Sequence, residues 1–171
     1  MKFISLLKYL KDEEIYRKLD FLQENKLFDK IPRRDLIYVL EALQERSYAK
    51  GETVFSEGDI GRALFMVMSG KIDLLKKMPD GSQKKVATIN PGEFFGEMSL
   101  IEELPRTTSA IVSEDASMFL LFKVKLDSML YSRPNIGVKI STRLAKIISA
   151  RLRDMLKDME TKAVSDADGK K

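Results

Sequence analysis

The segment Pro91-Gly92-Glu93-Phe94-Phe95-Gly96-Glu97-Met98-Ser99-Leu100-Ile101-Glu102-Glu103-Leu104-Pro105-Arg106-Thr107-Thr108-Ser109-Ala110 has the chemistry of a loop that wraps an anion. It opens on a Pro-Gly turn, carries two aromatics into Gly96-Glu97, and sets a lone arginine after a proline, with two hydroxyl residues behind it. Gly96 can take backbone angles closed to other residues. The amides from Gly96 to Leu100 can then converge as a nest or a short helix N-terminus, which suits a phosphate. Arg106 adds a planar, permanently charged fork that matches phosphate oxygens, with Thr107 and Thr108 as neutral donors beside it. Glu97 would repel a phosphate, but it suits a neutral donor on the same ligand, such as a ribose hydroxyl. A phosphate and a sugar hydroxyl between apolar walls describe a small nucleotide of low charge.

At these residues a resemblance becomes specific. Phe95-Gly96-Glu97-Met98-Ser99-Leu100, followed after a short spacer by Pro105-Arg106-Thr107-Thr108, resembles the phosphate-binding cassette of the cyclic nucleotide-binding domain family. The resemblance implies that Glu97 holds the ribose 2′-hydroxyl and Arg106 the exocyclic oxygens of a 3′,5′-cyclic phosphate. Gly96, Glu97, Met98 and Ser99 match the backbone part of the cassette that Phe95 opens, and Thr107 and Thr108 match the positions after the arginine. Many members carry alanine at the position of Thr108, a departure that leaves the charge scheme intact. A threonine at the position of Thr107 occurs in members selective for cGMP and in members that respond to cAMP; the expected ligand is cAMP ahead of cGMP. The opposing reading is an ordinary β-roll turn in which Glu97 and Arg106 pair with each other.

Composition bounds the remaining classes. A chain of 171 residues, 44% of them hydrophobic, is long enough for one domain with a real core. The net charge of +4 is spread over 30 basic and 26 acidic residues, with none of the long basic runs of a nucleic-acid binder. Cysteine and histidine are both absent. That removes disulfides, thiol catalysis and the usual metal sites, including those of a metal-dependent cupin. No cofactor and no catalytic residue is expected, and general acid–base work would fall to unpaired carboxylates or lysines. No stretch reaches transmembrane length, so a cytoplasmic protein without membrane contact is expected.

Along the chain, residues 1–26 read as a helical extension, with Phe3, Leu6, Leu10, Ile15, Leu19 and Leu22 at helical spacing over Met1 to Gln23. Acidic Asp12, Glu13 and Glu14 interrupt its basic face, which favours packing on the domain or a second subunit over a membrane surface. Leu27 to Pro32 lead into a helix in whose first turn Pro32 sits, running through Leu43. From Arg46 the pattern changes to short strands between turn signals at Gly51, Gly58, Gly70, Gly81 and Gly92. The strands are Thr53–Phe55, Leu64–Met68, Ile72–Lys76, Lys85–Ile89, Ala110–Val112 and Ser117–Phe122. This spacing predicts an antiparallel sandwich or jelly roll. The resemblance covers roughly Leu27 to Leu156 and implies an eight-stranded antiparallel β-roll over 27–133, with its cassette at 94–109.

A helix begins at Val124 and stops at Arg133-Pro134; a second runs from there to about Glu160. Ile140, Leu144, Ile148, Leu152, Met155 and Met159 form an apolar stripe on the second helix. The resemblance implies two tasks for this 134–160 helix: a lid over the base, with Ile148, Arg151 and Leu152 as candidates, and a homodimer contact along the stripe. Residues 161–171 read as a disordered tail, too short for the DNA-binding domain of bacterial regulators in the family. The whole reads as a non-enzymatic sensor domain mainly of β structure, switched by a cyclic mononucleotide that repositions the last helix. The alternative is a scaffold of the same fold that binds no ligand and acts through its terminal helices.

Overall fold

A computed structural model describes residues 13–168. Helix α1 (Glu13–Glu24), a 3-10 turn (Lys26–Phe28) and helix α2 (Arg33–Ala42) precede six strands. These are β1 (Gln44–Tyr48), β2 (Thr53–Phe55), β3 (Ala63–Lys77), β4 (Gln83–Ile89), β5 (Phe94–Phe95) and β6 (Ser109–Phe122). A 3-10 turn at Glu97–Leu100 lies between the last two strands, and helices α3 (Lys123–Ser132) and α4 (Pro134–Asp168) complete the chain.

All strand pairs are antiparallel, and β3 and β6 form the spine, in register from Ala63↔Phe122 to Leu75↔Ser109. Each half of the spine has its own flanking strand. β6 pairs with β1 near its C-terminal end and with β2 near its N-terminal end. β3 pairs with β5 first and β4 later. The resemblance implied eight strands, and the turn signal at Ser69-Gly70 set Leu64–Met68 apart from Ile72–Lys76. In the structure the chain runs on through it, so that one continuous β3 stands where two strands were expected, and β6 likewise joins Ala110–Val112 to Ser117–Phe122. The turn signal survives as a bend: register shifts cluster between Val67 and Ile72. Gly70 has φ +79° there, and a Cβ on it would lie 2.7 Å from Ala116 Cα.

Alternation along the spine separates two cores. Leu64, Met66, Phe119 and Leu121 face the helices, together with Leu22, Leu36, Leu126, Ile140 and Leu144. Phe65, Val67, Met118 and Leu120 point to the opposite side and fill the interior of the roll with Ile72, Phe95 and Val112. Each such fully buried side chain contributes about 1.5–3 kcal/mol through removal of apolar surface from water.

The described part of the N-terminal extension packs on its own domain, with Leu19 and Leu22 in the helical core; residues 1–12 of that reading lie outside the described residues. Pro32 is the N-cap of α2 rather than a residue of its first turn. α4 differs more. Its stripe is divided: Ile140 and Leu144 are buried in the chain's own core, while Leu152, Met155, Leu156 and Met159 are exposed. The helix also continues to Asp168, correcting the expectation of a disordered tail from Thr161. The segment Thr161–Asp168 holds no glycine or proline to stop a helix, and the first glycine is Gly169; residues 169–171 lie outside the described residues. Among the described residues no helix is long and apolar enough to cross a membrane.

Candidate functional site

Gly96 sits in the left-handed region, φ +73° and ψ +21°, as the N-cap of the 3-10 turn Glu97–Leu100. A Cβ there would come within 2.5 Å of Arg106 Nη1 and 3.2 Å of the Ala63 carbonyl oxygen, so glycine is required both by angle and by space. This close approach lets Arg106 pass behind the turn. Its main chain is clamped to the preceding loop: Arg106 N–H donates to Asp59 O at 2.8 Å, and Gly58 N–H donates to Arg106 O at 2.9 Å.

The Arg106 side chain is 9% exposed as a residue and held from several directions. Nη1 donates to Gly96 O (3.1 Å) and Ser99 Oγ (2.7 Å), and Nη2 to Ala63 O (2.8 Å). The guanidinium lies over the rings of Phe55 and Phe65. All three recorded acceptors are neutral, and among the described residues no ion pair joins Arg106 to a carboxylate. Burial pulls its pKa below the ordinary arginine value, and the more distant charges of Glu97 and Asp59 oppose that shift. A buried cation with no contacting anion is costly, and it leaves a strong positive potential in the space it faces.

That space is a cavity of about 540 Å³, in the size range of small-molecule sites. It is lined by Phe95 to Ser99 and by Pro105 to Thr108 on the cassette side, and by Leu74, Ala87, Thr88 and Ile89 on the sheet side. Glu97, also buried, does not pair with Arg106. Its Oε1 accepts from Arg151 Nη1 at 2.5 Å, and Arg151 Nη2 donates to Phe94 O at 3.2 Å. Thus α4 reaches across to the cassette through Arg151, and Met155, one turn later, also lines the cavity.

The profile of the cyclic nucleotide-binding domain family matches residues 45–133, more than half of the chain. This chain belongs to the cyclic nucleotide-binding domain family. It is a regulatory class of domain, and its members include the proteins that this chain is similar to. The chain is 34% identical over 128 residues to the cyclic AMP receptor protein of Thermus thermophilus, covering 75% of this chain and 57% of the relative. The crystal structure of the Thermus thermophilus catabolite activator protein superposes with a TM-score of 0.72 at 33% identity, over 82% of this chain and 63% of that one. A cyclic nucleotide-binding domain from Methylobacillus flagellatus gives a TM-score of 0.74 at 26% identity, over 84% and 81% of the two chains. The chain therefore spans less than two thirds of the length of its Thermus relatives.

Within this cyclic nucleotide-binding domain, the eight cassette residues singled out from sequence, Phe95, Gly96, Glu97, Met98, Ser99, Arg106, Thr107 and Thr108, line one cavity. Of the three lid candidates only Arg151 does so. Leu152 is exposed and Ile148 half-buried, and neither lines the cavity. Met155 was assigned to the dimer stripe, and its i+4 relation to Arg151 was the available signal. Gly61 was also missed. A Cβ on it would collide with Ser99 Oγ and stand 3.0 Å from Arg106 Cζ, yet Ile60-Gly61-Arg62 carries no turn signature that would have marked it.

Proposed function

We propose that this chain is the sensor domain for a cyclic mononucleotide, with cAMP ahead of cGMP. The observation that carries the reading is Arg106: a guanidinium inside the domain, hydrogen-bonded to neutral oxygens and facing a small-molecule cavity, is completed by an anionic ligand. The cyclic phosphate meets Arg106 and the turn Gly96–Ser99, the ribose hydroxyl meets Glu97, and the base lies between the Leu74/Ala87–Ile89 wall and Thr107. The preference for cAMP draws on the names of the similar proteins, which include a cyclic AMP receptor protein. Contacts of α4 at Arg151 and Met155 make that helix the moving part, since a ligand shifts a conformational equilibrium only through differential contacts with its states. The exposed Leu152, Leu156 and Met159 are suited to pairing with a second copy.

Thermal unfolding with cAMP and cGMP in parallel tests this. A ligand at about a hundred times its dissociation constant stabilises by roughly 2.7 kcal/mol, a rise of about 5–10 °C for a domain of this size. Arg106→Leu is expected to lose about 2–5 kcal/mol of binding. A folded wild-type chain with no shift for either nucleotide would reject the sensor reading in favour of a scaffold.

A further inference from the structure

We infer that Met98 and Met155 form a peroxide-sensitive modification site in the wall of the cavity, where oxidation to the sulfoxide lowers the affinity for the ligand. The inference rests on the sensor reading for the identity of that ligand, but not for the reactivity of the two sulfurs.

The chain contains nine methionines and no cysteine, so the thioether is its only oxidisable sulfur. Burial then sorts the methionines. Met66 and Met129 are enclosed in the helical core and Met118 in the interior of the roll. Met98 and Met155 belong to neither core and are 49% and 62% exposed. Both line the 540 Å³ cavity, Met98 from the cassette turn and Met155 from α4, and no other methionine among the described residues does. Met159 is exposed too, but it does not line the cavity.

A hydroperoxide delivers one oxygen atom to a thioether. The sulfur lone pair forms an S–O bond, the O–O bond breaks, and hydrogen peroxide leaves as water. Sulfur is oxidised by two electrons and the peroxide is reduced by the same two. Hydrogen peroxide is little larger than water, so the cavity admits it. The product is a polar, chiral side chain in place of a flexible apolar one. Met98 and Met155 share the cavity with the apolar Phe55, Leu74, Ala87, Ile89 and Phe95. A ligand that covers a sulfoxide in such a wall has to strip water from it, which is unfavourable unless a new donor is found. The turn itself is held by its main chain: Met98 O accepts from Ile101 N–H and Glu102 N–H, each at 3.0 Å. Oxidation of Met98 therefore alters the cavity wall rather than the fold of the turn.

The whole chain treated with hydrogen peroxide provides the test. Peptide mass spectrometry should find sulfoxide at Met98 and Met155 before Met66, Met118 or Met129, and saturating cAMP should slow it at the first two. Titration calorimetry should then show cAMP bound about 5–100-fold more weakly. Treatment with the two epimer-specific methionine sulfoxide reductases and a dithiol should restore it. The Met98→Leu/Met155→Leu double variant, a nearly volume-conserving change, is compared with itself: whatever its own affinity, peroxide should not lower it. Met159→Leu should stay as peroxide-sensitive as wild type. Unchanged affinity with both residues oxidised overturns the inference. So does an equal loss in the double variant, a loss that accompanies unfolding, or sulfoxide that forms first at the buried methionines. If the untreated chain binds no cyclic nucleotide, the sensor reading fails, and anilinonaphthalene sulfonate, an anion with apolar rings, takes its place as the probe. Its fluorescence should fall on oxidation of wild type and not of the double variant; an unchanged or equal response overturns the site.

Discussion

The guanidinium carbon of Arg106 lies 4.2 Å from the centroid of the Phe55 ring, so the charge at the cavity floor rests on an aromatic face. Phe55 is itself part of a cluster with Phe65 and Phe95, at centroid distances of 5.6 and 5.8 Å. Phe55→Leu keeps most of the apolar volume and removes the quadrupole that steadies the guanidinium. Nucleotide binding should weaken by about 1 kcal/mol, roughly fivefold, in a calorimetric titration. A variant that binds as tightly as wild type would show that the three oxygen acceptors orient Arg106 unaided.

Gly96 and Gly61 approach Arg106 from two sides and should fail differently when changed to alanine. Gly96→Ala meets a left-handed backbone as well as Arg106 Nη1, and should lose about 1–2 kcal/mol from the backbone alone, lowering the melting temperature by roughly 2–8 °C. Gly61 has no left-handed angle to defend. Its added methyl displaces the Ser99 hydroxyl, which donates no strain to the backbone but gives up its bond to Arg106. Gly61→Ala should therefore weaken nucleotide binding more than it lowers the melting temperature. Equal loss of stability in both variants would contradict this account.

Glu57 fastens the strand end of β3 to the loop that carries the main chain of Arg106. Its carboxylate accepts from Lys76 Nζ at 2.6 Å and from Lys77 N–H at 2.9 Å, while Lys76 also donates to Thr107 O. The bond from Lys76, more than any other influence, holds Glu57 below the ordinary glutamate range. A carboxylate with a depressed folded pKa adds stability that is fully present above its unfolded value, about 4.3, and is lost as pH falls through the folded one. Glu57→Gln should melt below wild type at pH 7, and the gap should close as pH falls below about 4.3. Asp80, shifted in the same direction by its bonds from Ser82, is common to both proteins and cancels in the difference. A gap that persists unchanged at low pH would assign the effect to packing instead.

Leu144 and Leu156 both lie on α4, yet one is fully buried and the other 51% exposed. Leu144→Ala should destabilise the folded chain by about 2–5 kcal/mol. Leu156→Ala should change monomer stability by less than about 0.5 kcal/mol and weaken self-association measured by sedimentation. Leu156→Ala that leaves association intact would remove this half of α4 from the pairing surface.

Much of the domain was legible because its determinants are local. The turn glycines Gly51, Gly58, Gly81 and Gly92 all have positive φ, as the turn signals require. The alternation of Leu64–Val67 dictates two faces whatever they pack against, and the spacing from Gly96 to Arg106 carries the cassette chemistry within one loop. Ser69-Gly70 was misread for an equally local reason: a glycine with positive φ serves a tight turn and a bend in a continuing strand alike, and only the partner strand distinguishes them.

The sequence by itself determined the class of roll, the loop with the residue pattern of the cassette and the apolar face of the last helix, since each follows from residue types at short spacing. Tertiary structure decided who meets whom. Arg106 finds the carbonyl of Ala63, 43 residues away, and Glu97 finds Arg151, 54 residues away. It also divided one continuous stripe on α4 into a buried half and an exposed half. Apolar periodicity specifies a face that avoids water; where the chain's own core ends along that face is set by the packing of distant elements, and no local pattern encodes it.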